Sequence, residues 1–169
     1  SDGVGRTANS QNEEPSVSII DVTHKDEPRL ISRVFYGGAF AHQGWLSENQ
    51  ELFFLNDEAD ERDGQPTRTY TLDVRDLDAP FLRRTFEHTT TTTDHNLFVA
   101  GNFVFQANYT AGLQVLEIAN ETNGRLRRRA FFDIVPANNG PTGDDPEAGE
   151  GAFGVYPYLP SHNVLVTGT

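Results

Sequence analysis

The sequence predicts an all-β protein of the β-propeller class, and three observations support this fold. Short apolar runs alternate with turn-forming residues along the chain, which is typical of antiparallel strands joined by tight turns. Aromatic side chains, including 12 Phe and 5 Tyr residues, supply much of the apolar volume and favour sheets over helices. Two strand–turn–strand units alternate with a period of roughly 40 to 50 residues, close to that of a four-stranded propeller blade.

The first repeated unit is marked by an acidic residue at the end of an apolar run. Asp21, Asp73 and Glu117 align, each lies between two apolar residues, and each is followed after a constant spacing by Pro or Gly and then by Leu. A spacing that is kept across two strands and a loop indicates a repeat. It also favours a structural role for these carboxylates, such as accepting backbone N–H bonds in the next turn, over a catalytic one.

Combining both units predicts blades of four antiparallel strands. Residues 41–87 and 94–133 are expected to form two complete blades, and residues 16–36 and 152–169 two half blades, after a polar linker or arm at residues 1–15. Helical periodicity is absent. About three blade equivalents are fewer than the roughly four to eight blades usual for propellers. We therefore expect this segment to belong to a larger propeller, or a protein partner to cover its terminal half blades.

Composition excludes several functional classes. The net charge of -12 argues against nucleic acid as a partner, because phosphate binding needs a basic surface. The absence of cysteine excludes disulfides, thiolate metal sites and a cysteine nucleophile. No apolar run is long enough to span a bilayer, so we expect no direct membrane insertion by this segment. The usual nucleophile, nucleotide-binding and zinc-protease motifs are also missing.

A first candidate metal site consists of His42, Asp94 and His95. The two histidines occupy matching places at the start of a blade's first strand, and such strands line the axial channel of a propeller. Imidazole together with carboxylate suits a divalent cation. The alternative is that both histidines hydrogen-bond to neighbouring loops, and Phe153 at the corresponding place of the next copy weakens a ring of ligands.

A second candidate is an acidic insert after a strand, which is expected to bind a hard divalent cation such as calcium through oxygen ligands. Its spacing is not that of an EF-hand, because Ala59 replaces a required acid. The alternative is a solvated acidic loop. The ligands proposed for this site are Asp57, Glu58, Asp60 and Asp63.

Seven motifs in one order resemble the choice-of-anchor B domain proteins, which are related to LVIVD-repeat propellers. The motifs are HQGWL (42–46), FFLNDE (53–58), RTYTLDVRDLDAP (68–80), DHNLFV (94–99), FQANYTAGLQVLEI (105–118), AFFD (130–133) and VYPYLPSHNVLVT (155–167). The resemblance implies an exported bacterial β-propeller, in the periplasm or held at the cell surface by a variable C-terminal anchor. It supplies no catalytic residues.

The function expected from these observations is non-catalytic. We expect a protein-binding or scaffold module in the cell envelope or in a surface assembly, with the long loops as contact surfaces. The alternative is a metal-dependent propeller enzyme, a hydrolase or lyase that acts on an extracellular polymer with His42, Asp94 and His95 at its centre.

Overall fold

The computed structural model describes residues 14–61, 64–136 and 150–168, and these contain twelve β-strands. The strands are β1 (Ser16–Asp21), β2 (Arg29–Phe35), β3 (Ala41–Leu46), β4 (Leu52–Asp57), β5 (Arg68–Asp73), β6 (Phe81–Glu87), β7 (Asn96–Ala100), β8 (Phe103–Ala107), β9 (Leu113–Asn120), β10 (Arg125–Phe132), β11 (Ala152–Tyr156) and β12 (Leu165–Gly168). Over these ranges the chain has no helix, and so none able to cross a bilayer. Most of the predicted arm, residues 1–13, lies outside them.

The strands form four antiparallel sheets, which confirms the predicted all-β class. Two sheets have four strands each, in the orders β3-β4-β5-β6 and β7-β8-β9-β10, while β1 pairs with β2 and β11 with β12. Equivalent strands of successive sheets lie against one another. Thus β3 contacts β7 and β7 contacts β11, whereas β2 contacts β6 and β6 contacts β10.

Each pair of neighbouring sheets encloses one apolar cluster. Side chains alternate between the two faces of a strand, so β4 contributes Leu52 and Phe54 to the cluster shared with the β7–β10 sheet. Leu55 points the other way and packs with Val17 and Val34 of the β1–β2 sheet. A third cluster lies between the β7–β10 and β11–β12 sheets. Burial on both faces explains why β4 reads as a continuous apolar run.

Three hairpins carry a break in strand register at the same position of the repeat. In the β1–β2, β5–β6 and β9–β10 pairs, the break lies between the two residues that directly precede the aligned acidic residue. The residue that is skipped on the second strand is Ile31, Arg83 or Arg129. A β-bulge bends its strand and increases the local twist, so the three hairpins share one distortion.

Two of the aligned acidic residues have the predicted structural role. The N–H of Thr23 donates to Asp21 Oδ1 at 2.8 Å, and the N–H of Arg75 donates to Asp73 Oδ1 at 3.2 Å. These bonds close the turn that follows each strand. Glu117 differs, because it lies inside β9 rather than at a strand end.

Candidate metal centre

Three side chains able to bind a metal converge where β3 and β7 begin. His42 lies in β3, Glu58 directly follows β4, and His95 directly precedes β7. Because β3 and β4 are antiparallel, the end of β4 lies beside the start of β3, and the Glu58 N–H donates to the Phe40 carbonyl at 3.0 Å. The contact between β3 and β7 then brings His95 from the next sheet to the same place.

The polar atoms of this cluster lie close together. His42 Nδ1 is 2.9 Å from Glu58 Oε2, and His95 Nε2 is 3.8 Å from Glu58 Oε1. The centroids of the two imidazole rings are 4.4 Å apart. One ligand atom from each of the three residues can be chosen so that all lie within 4.8 Å of one another. The contact between His42 Nδ1 and Glu58 Oε2 is a hydrogen bond, whereas the distance between His95 Nε2 and Glu58 Oε1 is too long for one.

His95 is held in one orientation by its neighbours. Its Nδ1 is 2.7 Å from the carbonyl oxygen of Phe153, which can accept a hydrogen bond but cannot donate one. Nδ1 therefore carries the hydrogen, and in the neutral ring Nε2 has a free lone pair on the side of Glu58. The Phe153 ring stacks on His95 with centroids 3.9 Å apart, and the Tyr109 ring meets its edge.

The electrostatics suit a neutral imidazole beside a carboxylate. Burial lowers the pKa of His95, and the nearby His42 lowers it further, against the opposing effects of the Phe153 carbonyl and Glu58. Burial alone would raise the pKa of Glu58, but the hydrogen bond and charge of His42, the charge of His95 and the hydrogen bond from Tyr109 together lower it. Tyr109 supports the same carboxylate, because its hydroxyl donates to Glu58 Oε1 at 3.1 Å.

Asp57, predicted as a calcium ligand, has a different environment. Its Oδ2 accepts from the Tyr36 hydroxyl at 2.8 Å and from the N–H of Ala39 at 2.6 Å. Its Oδ1 accepts from the N–H groups of Phe40 and Ala59 at 2.7 and 3.1 Å. The carboxylate therefore fixes the segment between β2 and β3, and it is not one of the three clustered ligands.

The remaining predicted ligands do not join the cluster. Asp94 is fully buried, and neither of its oxygens has a hydrogen-bond partner among the described residues. Burial, together with repulsion from Asp60 and Glu61, raises its pKa well above the usual range. Burial and the neighbouring acids likewise raise the pKa of Asp60 to about 8, and its Oδ2 lies 3.4 Å from the Tyr70 hydroxyl. Asp63 lies outside the described residues.

The structure thus brings His42 and His95 together, as their matching repeat positions predicted, and adds a third residue. Sequence reasoning assigned Glu58 to the acidic loop rather than to the histidines. It also missed the supporting roles of Tyr109 and the Phe153 carbonyl. The predicted hairpin could have indicated the position of Glu58, because this residue lies just beyond β4, the strand that pairs with β3.

Comparison with known proteins supplies no assignment. No model of a known protein family matches this chain, and a search of curated proteins finds no significant match. The cluster of His42, Glu58 and His95 is therefore interpreted from the chemistry of its own side chains.

Proposed function

We propose that this chain is a β-propeller segment that acts as a non-catalytic protein-binding or scaffold module. In a propeller, four-stranded sheets pack face to face around an axis, so each sheet has a neighbour on both sides. One observation carries the proposal. The two-stranded sheets at either end of the series have apolar side chains on the face turned away from the four-stranded sheets.

The β1–β2 sheet has apolar side chains on both faces, although Ser18 and Arg33 pair on the outer one. Val17 and Val34 pair across the strands and pack against the β3–β6 sheet. Of the apolar side chains not packed there, Ile20 is 47%, Leu30 58% and Phe35 51% exposed. Large apolar side chains on both faces of a sheet are typical of a layer buried between two others. The open face therefore favours a covering protein surface.

The β11–β12 sheet repeats this arrangement at the other end. Val155 pairs with Val166 on the face that packs against the β7–β10 sheet, whereas Tyr156 and Leu165 pair on the outer face and are 47% and 46% exposed. In addition, within the described part of the chain, β1 and β12 each pair with a single strand. An unpaired strand edge can accept another strand, so both sheets offer main-chain as well as apolar contacts.

The propeller interpretation has further support in the inter-sheet contacts. Equivalent strands of successive sheets touch, and three hairpins share one bulge position. Both features are expected when one blade design is repeated around an axis. The proposal therefore extends to further blades, or a partner that supplies equivalent sheets, against the two outer faces.

The test is self-association of the chain through these faces. Light scattering after size-exclusion chromatography, over a range of concentrations, should show oligomers of the native chain. Phe35→Thr, on the outer face, should shift the population toward monomer. Phe81→Thr is the matched control, since Phe81 is 49% exposed on β6. A native chain that stays monomeric, or equal effects of both variants, would contradict a binding role for the outer faces.

We also propose export to the periplasm or surface of a bacterium, on the strength of the motif resemblance to choice-of-anchor B domain proteins. The test is fractionation of source cells followed by immunoblotting with an antibody raised against this chain. The protein should be recovered with the periplasm or outer surface. Recovery in the cytosolic fraction would refute export without affecting the binding role.

A second candidate function is a metal-dependent hydrolase or lyase acting on an extracellular polymer. It is favoured by the convergence of His42, Glu58 and His95, because a carboxylate and imidazoles can hold a Lewis acid or move protons. The assay is release of reducing ends, or of unsaturated products for a lyase, from acidic and neutral polysaccharides. Activity that disappears in His42→Ala would support it, and activity unchanged by that substitution would exclude these residues.

A further inference from the structure

The contact between His95 and Glu58 has the geometry of a gap between ligands rather than of a direct bond. Nε2 of His95 and Oε1 of Glu58 are 3.8 Å apart, although both belong to well-supported side chains. Two ligands about 2.1 Å from a tetrahedral ion lie about 3.4 Å from one another. His42 Nδ1 is 2.9 Å from Glu58 Oε2 and His95 Nε2 is 3.8 Å from Glu58 Oε1, so each nitrogen lies within about 0.5 Å of that separation from one oxygen of the carboxylate.

Only a small contraction would bring the three ligand atoms to the separations of a tetrahedral site. The widest separation in the cluster is at most 4.8 Å, and bringing it to about 3.4 Å requires movements of roughly 1 Å shared among side chains. His42 and Glu58 are partly exposed, with side-chain accessibilities of 28% and 21%, so both can adjust. His95, at 10%, is the fixed member.

Around the cluster, the chain already provides the partners that orient metal ligands. A ligating histidine usually donates its other ring N–H to a carbonyl or carboxylate, and His95 Nδ1 does so to the Phe153 carbonyl at 2.7 Å. A ligating carboxylate is likewise usually hydrogen-bonded, and the Tyr109 hydroxyl donates to Glu58 Oε1. Both partners come from outside the β3–β6 sheet.

We propose that His42, Glu58 and His95 form a binding site for one divalent transition-metal ion of the zinc class. Two imidazole nitrogens and one carboxylate oxygen suit zinc, cobalt or nickel better than calcium, which prefers six or more oxygen ligands. This assignment replaces Asp94 of the predicted set by Glu58. Three protein ligands leave one tetrahedral position open to water or to another ligand.

The bound ion would also connect three sheets. His42 and Glu58 belong to the β3–β6 sheet, His95 precedes β7, and the carbonyl that orients His95 belongs to β11. Metal binding free energy adds to folding free energy where the unfolded chain binds the ion weakly. The site therefore links ion binding to the packing of the series of sheets, whether or not the protein is a binding module.

The experiment uses zinc chloride and cobalt chloride alone, added to the chelator-treated native chain. Titration against a competing chromophoric chelator should show about one equivalent bound, with a higher melting temperature in the loaded protein. Cobalt should give the visible absorption of a four-coordinate ion.

Glu58→Gln and His95→Gln should each weaken zinc binding at least about 10-fold, and Tyr109→Phe should weaken it less. His24→Ala, which removes an exposed histidine in another turn, is the control and should bind as the native chain does.

A second measurement needs no variant and so does not depend on correct folding of the substituted chains. In the native protein, zinc should shift the imidazole proton resonances of His42 and His95 and leave those of His24 and His162 unchanged. The proposal is overturned if the native chain binds well under one equivalent at micromolar zinc, if Glu58→Gln binds as tightly as the native chain, or if the exposed histidines respond first. In those cases the cluster is a hydrogen-bonded inter-sheet contact only.

Discussion

Mild acid should destabilise this protein through His88, which lies just after β6. The ring is buried, and its Nε2 is 3.1 Å from Thr69 Oγ1. Thr69 Oγ1 already accepts from Gln106 Nε2 at 2.7 Å, so its hydroxyl proton is available to the lone pair of a neutral His88. Burial, together with the charge of Arg128, lowers the pKa of His88 from 6.5 to about 4. Protonation would thus place a charge in a site built for a neutral ring.

The sign and size of the effect follow from that lowered pKa. The contribution of neutral His88 is fully present above the unfolded-state pKa of 6.5 and is lost as the pH falls toward about 4. As the pH falls from about 8 to about 5, the unfolded chain takes up nearly one proton at this residue, whereas the folded chain takes up almost none. The free energy of unfolding should therefore fall by about 2 kcal/mol on account of His88 alone.

The assay is urea unfolding at these two pH values for the native chain and for His88→Gln, which keeps a hydrogen-bonding side chain but cannot be protonated. The raised pKa values of Asp60 and Asp94 change stability with the opposite sign, since protonated acids favour the folded state. Comparing native and variant proteins cancels these contributions. The variant should lose about 2 kcal/mol less than the native chain on acidification. Equal losses in both proteins would refute the reasoning, and His24→Gln should behave as the native chain.

Two further predictions concern packing and the segment between β2 and β3, and urea unfolding measures both. Phe54→Ala removes a fully buried ring from the cluster between the four-stranded sheets and should cost about 3 to 5 kcal/mol, whereas Phe132→Ala, at a 64% exposed position, should cost under about 0.5 kcal/mol. Asp57→Ala leaves four donors without their acceptor and should cost about 3 kcal/mol or more, while Tyr36→Phe removes one of these bonds and should cost about 1 to 2 kcal/mol. Similar losses within either pair would contradict the respective account.

Much of the strand arrangement could be predicted because it is a local property. Alternating apolar residues and turn formers set each hairpin, and the alignment of Asp21 with Asp73 located two hairpins that share a bulge. The alternation of Leu52, Phe54 and Leu55 between two clusters likewise follows from the two faces of β4. These features need only the strand period and the turn chemistry.

The candidate site was harder to predict because it depends on register and side-chain direction between sheets. The repeat predicted that His42 and His95 would be neighbours, but His42 lies within a break in register between Ala41 and Gly44, where simple strand alternation does not predict which residue of the adjoining strand end it meets. No local pattern reveals that Glu58 turns toward the histidines while Asp57 turns toward the segment before β3. Asp94 shows the same limit, because its side chain is buried near Asp60 and Glu61, which are distant from it in sequence.

Two sets of polar side chains between the β3–β6 and β7–β10 sheets differ in their hydrogen bonding, and this difference supports separate roles. In the first, Gln106 Nε2 bonds both Asn56 and Thr69, and Thr69 bonds His88, so the histidine nitrogen has a partner within bonding distance. Buried bonds of this kind are lost if the sheets slide, and they favour one packing arrangement. In the second, His95 Nε2 faces Glu58 across 3.8 Å without a bond, although its other nitrogen is fixed. With its proton on Nδ1, His95 presents a lone pair from Nε2 to Glu58 Oε1, which already accepts from the Tyr109 hydroxyl, so these two acceptors face each other with no proton between them. A cation between the two atoms would use both lone pairs, and this arrangement of facing acceptors is the feature that favours a ligand site over a packing contact.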